Sequence, residues 1–468
     1  VVKTLQSMQN GGIYDHIGFG FHRYSTDSHW LVPHFEKMLY DQAMLAMAYI
    51  ETYQATGIEE FEETAKEVFT YILRDMTDQK GGFYSAEDAD SEGVEGKFYV
   101  WTEDEIRLAL KGDEADLIIN VYSIDKTGNF RDEVSGENTG ANILHLDKSL
   151  TEVAFKNKES VDGLKERVEV ARQKLFDIRN KRIHPHKDDK ILTDWNGLMI
   201  AALAKGAQAF DEPKYAEAAK RAADFILTGM RREDGRILHR YRDGHTAILA
   251  NADDYAFLIW GLLELYETVF DVDYLQAALD LNSEMIKYFW DEQDGGFYFT
   301  ADDAEELIVR QKEIYDGAIP SGNSVAVSNL FRLARITANT DFEDKANKIM
   351  LAFSKDVESA PSGYTQMMIA LGFGIGPSYE IVIVGNPEAE DTKEMLASLG
   401  KHFIPYKVVL LKRDDQETAD ITSIAEYTEY HSSFEGKATA YVCLDFACKM
   451  PVTNTEEMLK LLNVSQIK

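Results

Sequence analysis

Several carboxylates and imidazoles in the sequence precede or begin stretches whose apolar pattern indicates buried helices. Those that we predict to be catalytic are His16, His34, Asp88, Asp194 and Asp254. An imidazole titrates near neutral pH and can move a proton at a carbon beside a carbonyl group. Two carboxyl groups about 6.5–9.5 Å apart can instead hydrolyse a glycosidic bond with inversion. The residue types therefore indicate acid–base chemistry and leave these two reactions open.

Aromatic and hydrogen-bonding side chains accompany these groups in the sequence. Aromatic rings stack on the apolar faces of sugars, while Asp, Arg, His and Asn side chains bond sugar hydroxyl groups. We therefore predict a pocket for a small-molecule sugar or glycan. The residues predicted to bind this substrate are Tyr14, Arg23, Tyr24, Trp30, Asp41, Asp90, Trp101, His186, Trp195, Asn196, Tyr255 and Asn323.

The acids at predicted helix starts also have a structural interpretation. Thr193 or Asp194, Asp253 and Ser321 are suitable N-cap residues. A capping carboxylate at the start of an inner helix can also face a pocket, so capping and function do not exclude each other.

Metal binding is not predicted. The acidic loop that starts at Asp88 begins like a calcium-binding EF-hand, but Tyr99 stands where the bidentate Glu is needed. His184 and His186 lack a third ligand at a spacing typical of a metal site. We predict neither a metal nor another cofactor.

An alternation of helix types must position these groups. Some segments are apolar on all sides, as buried helices are: 34–56, 194–211, 253–271, 321–339 and 362–374. Other segments are apolar on one face only, as outer helices are: 59–78, 213–230, 273–290 and 341–357. A weaker pair covers 102–121 and 160–181. Alternating inner and outer helices predict a mainly α fold, an (α/α)6 toroid of helical hairpins over 1–377 whose first outer helix is truncated. A solenoid stack is the alternative. In a toroid, the loops entering the inner helices gather above a funnel.

The pattern changes near residue 378. Strands at 379–385, 407–411 and 438–443 and helices at 388–400 and 454–463 predict a small α/β subdomain over 378–468. Its first turn lacks the glycine spacing of a dinucleotide-binding loop. Cys443 and Cys448 are interpreted as structural thiols.

Composition excludes several classes of partner. The 468 residues carry 49 Lys and Arg against 81 Asp and Glu, a net charge of −32. Such an acidic chain is not expected to bind nucleic acid or an anionic membrane surface. There is no apolar run of about 18 residues and no signal-peptide pattern, and two cysteines suggest a reducing compartment, so we expect a cytoplasmic protein.

Seven segments, taken together, resemble the YyaL family, whose vertebrate member is the spermatogenesis-associated thioredoxin-like protein. They are GGIYDHIGFGFHRYSTDSHWLVPHFEKMLYDQAMLA, GGFYSAEDADSEG, KFYVWT, DDKILTDWNGLMIAAL, DDYAFLIWGLLELYE, DGAIPSGNSVAVSNLFRLA and GKATAYVC. The resemblance implies a six-hairpin toroid related to N-acylglucosamine 2-epimerases and six-hairpin glycosidases. It also implies a thioredoxin-like domain N-terminal to the ring, which we expect this chain to lack. Phe19 departs from the family, which usually has glycine there.

Two functions follow as expectations. The first is a carbohydrate-active enzyme with its pocket at the funnel, either epimerase- or isomerase-like or glycosidase-like. The alternative is a non-catalytic sugar-binding or scaffold protein that works with a thioredoxin-like module.

Overall fold

The computed structural model describes residues 1–131, 138–305, 307–415 and 420–464. The chain forms two compact units. The first consists of Val1–Leu45, Glu63–Thr77 and Tyr84–Asp189, and the second of Ala46–Glu62, Asp78–Phe83 and Lys190–Lys468.

In its described residues the first unit contains short strands and seven helices, two of which also contribute residues to the second unit. The helices are α1 (Val2–Asn10), α2 (Leu39–Thr56), α3 (Glu59–Asp75), α4 (Glu103–Ala109), α5 (Asp113–Val121), α6 (Leu150–Asn157) and α7 (Val161–Arg179). The strands are β1 (Tyr24–Ser25), β2 (Pro33–His34), β3 (Lys37–Met38), β4 (Ala86–Glu87), β5 (Asp90–Ser91), β6 (Val94–Glu95), β7 (Trp101–Thr102), β8 (Ala141–Asn142) and β9 (Lys187–Asp188). Apolar side chains from α4, α5 and α7 form one core with Trp101.

Helix α2 begins at Leu39, later than the predicted start at residue 34. The preceding residues instead form β2 and β3, and β3 pairs with β4. The Lys37 ammonium donates to Asp15 Oδ2 and to the Phe19 carbonyl, both at 2.8 Å. This buried ion pair, which the apolar pattern does not reveal, fixes Lys37 in an extended segment ahead of the helix.

The second unit repeats helical hairpins. Its helices before the C-terminal region are α8 (Thr193–Phe210), α9 (Pro213–Gly229), α10 (Ala252–Val269), α11 (Val272–Phe289), α12 (Gly322–Thr337), α13 (Thr340–Ala352), α14 (Ser354–Ser359) and α15 (Thr365–Ile375). Helix α10 packs against both α8 and α12, and α12 packs against α15. Each of α8, α10 and α12 is followed by an outer helix that packs on it. The predicted mainly α fold with hairpins of the (α/α) toroid type is confirmed.

A three-stranded antiparallel sheet is formed by the strand that directly precedes α8 and by two strands that follow α9. It consists of β10 (Ile191–Leu192), β11 (Leu238–Arg242) and β12 (His245–Leu249), with β11 in the centre. Asp243 and Gly244 form the turn between β11 and β12, as expected because an Asp-Gly pair favours a tight hairpin turn.

The C-terminal region is α/β, as predicted. Strand β13 (Tyr379–Val384) lies parallel to β14 (Lys407–Lys412) and antiparallel to β15 (Thr439–Leu444), which pairs with β16 (Ala447–Cys448). Helices α16 (Glu390–Lys401) and α17 (Thr455–Leu461) accompany the sheet. None of the helices in the described ranges is long and apolar enough to cross a membrane.

The prediction that Cys443 and Cys448 are thiols is wrong, because the two residues form a disulfide. Residue 443 lies directly opposite residue 448 across the β15–β16 pair. Directly opposed residues on antiparallel strands have adjacent side chains, and this register could not be derived from the spacing of the two cysteines.

Candidate acid–base site

The N-terminal turns of α8, α10 and α12 lie beside one another in the second unit. The Asp194 backbone N–H of α8 donates to Asp254 Oδ1 of α10 at 3.0 Å. The Asp253 carboxyl accepts a hydrogen bond from the backbone of Gly322, the first residue of α12. A Cβ at position 322 would lie 2.3 Å from Asp253 Oδ1. These three inner-helix starts therefore converge, as the funnel hypothesis requires.

Strand β11 adds an imidazole to this end of the helices. His239 Nδ1 lies 2.9 and 3.1 Å from the two carboxylate oxygens of Asp254. The His239 side chain is 22% exposed, whereas the Asp254 side chain is 1% exposed. Because Nδ1 donates to Asp254, Nε2 is the nitrogen left for a substrate.

Asp254 is held by several donors at once. Its Oδ2 accepts the backbone N–H of Asn251 at 2.7 Å, and the two residues form a capping box at the start of α10. Together with the bonds from Asp194 and His239, this saturates the carboxylate. Asp254 thus caps its helix and fixes the orientation of His239, which is a positioning role.

Burial and mutual repulsion keep protons in this cluster. Burial, followed by the charge of Asp254, raises the pKa of the Asp194 carboxyl well above its usual value. The same two causes raise the pKa of Asp253 to about 7. Burial lowers the pKa of His239, but the hydrogen bond and charge of Asp254 outweigh it and raise the value to about 9. Near neutral pH the cluster therefore contains an imidazolium and a neutral Asp194 carboxyl.

The donor set also has dimensions that a metal ion could use. One ligand atom each from Asp194, His239 and Asp254 lies within 4.8 Å of the others. However, His239 Nδ1 already donates to both oxygens of Asp254, and a cation bound there would have to displace that bond. Asp194, His239 and Asp254 therefore form a hydrogen-bonded, proton-sharing cluster that needs no metal ion to hold it together.

Three other predicted residues of the second unit are fixed by the fold. The amide of Asn196 bonds both the N–H and the carbonyl of Phe83, and that of Asn323 does the same at Phe297. The Tyr255 hydroxyl contacts Arg236 and Glu284. Because these groups are engaged, we leave them out of the proposed site. Trp195 is half-buried and directly follows Asp194, and we keep it in the proposed site.

The first unit gathers a second group of predicted residues near the start of α2. His34 Nδ1 lies 2.7 Å from Glu95 Oε1, and its ring stacks on Tyr24 at 5.1 Å. Arg23 pairs with Glu36 at 2.9 Å. Burial raises the pKa of Asp41 to about 7. Its Oδ2 is buried with no hydrogen-bond partner among the described residues.

Two predicted residues at the beginning of the first unit are buried. Burial lowers the pKa of His16 to about 4, so its imidazole is neutral at physiological pH. The Tyr14 hydroxyl donates to Glu67. A catalytic role of His16 stays a prediction, and its burial places it in the interior.

The remaining predicted residues lie in loops, in short strands or in a core. Asp88, Asp90 and His186 are exposed, and Asp88 N–H donates to the His186 carbonyl. Trp30 is half-buried, and its backbone has φ of 64°. Trp101 is 1% exposed and belongs to the α4–α5–α7 core. Their predicted roles are untested by this geometry.

Sequence reasoning missed His239 as a functional residue and treated Asp253 only as a cap. The Asp243-Gly244 turn between alternating segments could have predicted the β11–β12 hairpin. It could not have predicted that β11 lies against the start of α10, since that contact depends on packing between distant segments.

The inner helices are buried, and an outer helix packs on each of α8, α10 and α12. Acids and an imidazole meet at the N-terminal ends of these inner helices. This arrangement defines a protein of the helical-hairpin toroid class. Within that class, proteins named spermatogenesis-associated protein 20 are homologues of this chain, as its sequence motifs predicted. The chain is 36% identical to the human protein of that name over 489 residues, which cover 99% of this chain and 62% of the human protein. An uncharacterised protein of Caenorhabditis elegans is 34% identical and is covered to 66% of its length. The chain thus spans less than two thirds of these relatives.

Solved structures with similar folds include an epimerase and an isomerase. Cellobiose 2-epimerase from Bacillus thermoamylovorans has a TM-score of 0.39 and 11% identity, with 78% of this chain and 66% of that chain covered. A D-mannose isomerase has a TM-score of 0.38 and 14% identity, with 76% and 85% covered. No protein-family model matches the chain.

Proposed function

We propose that the chain is a carbohydrate-active enzyme of the epimerase or isomerase type. It would transfer a proton at the carbon beside a sugar carbonyl group. The observation that carries this proposal is the His239–Asp254 pair placed next to the buried Asp194 at the starts of two inner helices.

Each group has a distinct role in this proposal. His239, protonated because Asp254 raises its pKa to about 9, donates from Nε2 to the carbonyl oxygen of the substrate. Asp253, whose pKa is about 7, is ionised in a large fraction of molecules near neutrality and removes the proton from carbon. The neutral Asp194 carboxyl is a second donor, and the Trp195 ring is suited to stack on the sugar.

The spacing of the carboxylates favours proton transfer over hydrolysis. Oxygens of Asp194 and Asp254 lie within 4.8 Å of each other, below the spacing of about 6.5–9.5 Å that leaves room for the water of an inverting hydrolase. A retaining mechanism needs an accessible nucleophile, but the Asp254 side chain is 1% exposed and already accepts bonds from His239 and Asp194.

A panel of aldoses, ketoses and disaccharides tests the proposal. Each sugar is incubated with the wild type, with His239→Asn and with Asp194→Asn, and turnover and the melting temperature are both measured. We expect one sugar to be converted by the wild type, and turnover to fall about 100-fold or more in the variants while the sugar still raises their melting temperature. Asp243→Asn, an exposed change in the turn of the same hairpin, should keep full turnover.

The alternative is a sugar-binding or scaffold protein that works with a thioredoxin-like module. It predicts thermal stabilisation by a sugar with no turnover of any member of the panel. Release of monosaccharide from a disaccharide would instead favour the glycosidase type.

A further inference from the structure

A cavity lies in the same unit at the end of the inner helices opposite to the acid–base site. Its volume is about 860 Å³, and it is lined by the C-terminal residues of α8 and α10, by α16 and by β14. Pockets for small molecules typically measure about 300–1,000 Å³. Helices of this length run about 27 Å, so the cavity is distinct from the site around Asp194 and Asp254.

Much of the cavity wall is apolar. The side chains that line it without a polar group include Val269 and Phe270 at the C-terminal end of α10, Leu396 and Leu399 on α16, and Val409 and Leu411 on β14. Such a wall is suited to the hydrocarbon part of a ligand, because apolar surface gains free energy when it leaves water.

Lys407 brings one cation into this apolar setting. Alternation along β14 places Lys407 on the same face of the strand as Val409 and Leu411, and all three line the cavity. Lys407 is half-buried, and the structure gives its ammonium no hydrogen bond and no ion pair within the part of the chain that it describes.

The charges behind Lys407 are already paired. Arg332 contacts Glu264 at 2.7 Å and Glu267 at 2.8 Å. Lys205 contacts Glu51 at 3.1 Å. Burial lowers the pKa of Lys407, because water does not fully solvate its charged ammonium group. Lys407 thus remains a cation with capacity for an acceptor.

We propose that this cavity binds a small amphipathic carboxylic acid, with its carboxylate on Lys407 and its hydrocarbon body along α16 and β14. Of the lysines that line the cavity, Lys393 is paired with Glu388 and Lys401 is exposed to solvent, so half-buried Lys407 is the cation that a single negative charge would match. A dianion such as a phosphate monoester is disfavoured because Glu267, Glu390 and Glu394 also line the cavity. A neutral alcohol would leave Lys407 without its ionic partner.

Titration calorimetry with octanoate tests the site. We expect saturable binding to the wild type, with affinity about tenfold to 100-fold weaker in Lys407→Met, the range of a lost charge-assisted hydrogen bond. Lys407→Arg should retain much of the affinity. The matched control is Lys393→Met, since Lys393 also lines the cavity but pairs with Glu388 at 3.0 Å. It should bind octanoate like the wild type.

Two further probes make the result decisive. 1-Octanol and octyl phosphate should bind more weakly than octanoate, and octanoate affinity should fall as pH rises through a value below the ordinary lysine pKa of about 10.4. That pH dependence tests the site even if Lys407→Met does not fold. Absence of octanoate binding, equal binding by Lys407→Met, or preference for octyl phosphate would overturn the proposal. Asp194→Asn should bind octanoate unchanged, so the result does not depend on the proposed enzyme activity.

Discussion

At the scale of single residues, the protein places ionisable groups where burial and charge oppose each other. Asp254 illustrates this, since it accepts the bonds of a helix cap and also holds His239. Phe19 is another unusual residue, because its φ of 70° lies in the left-handed region that glycine tolerates best. The Arg172 guanidinium lies 4.4 Å from the centre of its ring, a contact that glycine could not make.

The Asp254→Asn variant isolates the effect of the Asp254 carboxylate on His239. Asp254 raises the pKa of His239 to about 9 against the opposing effect of burial. Without this carboxylate, burial dominates, and the pKa of His239 should fall below its ordinary 6.5. Titration of the imidazole by NMR measures the change. Asp243→Asn should leave the titration as in the wild type, and an unchanged His239 in Asp254→Asn would contradict the assigned pairing.

The same pair has a defined effect on stability. Because the folded pKa of His239 is raised, its contribution is fully present below about pH 6.5 and is lost as pH rises through about 9. His239→Asn should therefore cost more stability at pH 6 than at pH 10, as denaturant unfolding at both pH values would show.

Glu67 makes the opposite case, a partly buried carboxyl that is costly to ionise. Burial raises its pKa from 4.5 to about 7. Stability is therefore greatest below about pH 4.5 and falls as pH rises through 7. The Glu67→Gln variant cannot ionise at this position and does not lose stability in this way. The difference between its free energy of unfolding and that of the wild type should therefore grow with pH, by up to roughly 3 kcal/mol. Glu63→Gln, which breaks an exposed pair with Lys165, should show no such growth.

At the scale of elements, glycines set the distance between inner helices α8 and α10. A Cβ on Gly197 would lie 2.5 Å from the Phe257 carbonyl carbon, and one on Gly261 would lie 2.6 Å from the Gly197 oxygen. Glycine inside a helix costs about 1 kcal/mol relative to alanine. Here the backbone contact between the helices requires it.

Gly197→Ala should therefore push the two helices apart. We expect destabilisation of about 1–3 kcal/mol, together with weaker coupling between Asp194 and Asp254, measured by thermal unfolding and by the His239 titration. The control is Gly229→Ala at the end of α9, where the nearest atom is a Phe225 ring carbon at 3.3 Å. Its stability should stay constant or rise slightly. Equal losses in both variants would argue against close helix contact as the cause.

Amide side chains form a second recurring device in the inner helices. Gln42 bonds the N–H and carbonyl of Phe21, Asn196 those of Phe83, and Asn323 those of Phe297. Each pair of bonds fastens a segment outside the helix to the first turn of that helix. This repeated structural use explains why polar residues at these positions exceed what a helix cap needs.

The sequence alone predicts the bounds of helices that are buried on all sides. It does not predict the role of a residue whose contact partner is distant in the chain. Helices α8, α10 and α12 begin and end close to their predicted bounds because their residues are apolar on all sides. Asp194 and Asp254 were predicted as a site because they begin such helices. His239 was missed, since its role arises only when β11 reaches α10, and Lys37 was assigned to a helix because its partner Asp15 lies outside that segment.

At the scale of the whole molecule, the second compact unit carries both proposed sites. The acid–base site lies at the N-terminal ends of α8 and α10, and the Lys407 cavity lies at their C-terminal ends. The net charge of −32 suits a partner that is not polyanionic, which agrees with a sugar. The assignment of 1–377 and 378–468 to separate domains stays a proposal.

We propose that His239 and its neighbouring acids move a proton at a sugar carbon. The direct measurement is NMR of each sugar incubated with the protein in D₂O, which detects deuterium at C2 or a new isomer whatever the final product. We expect exchange or isomerisation of at least one sugar by the wild type and by Asp243→Asn, and loss of it in His239→Asn and Asp194→Asn. A chain that leaves every sugar unchanged, or variants that act like the wild type, would contradict the account.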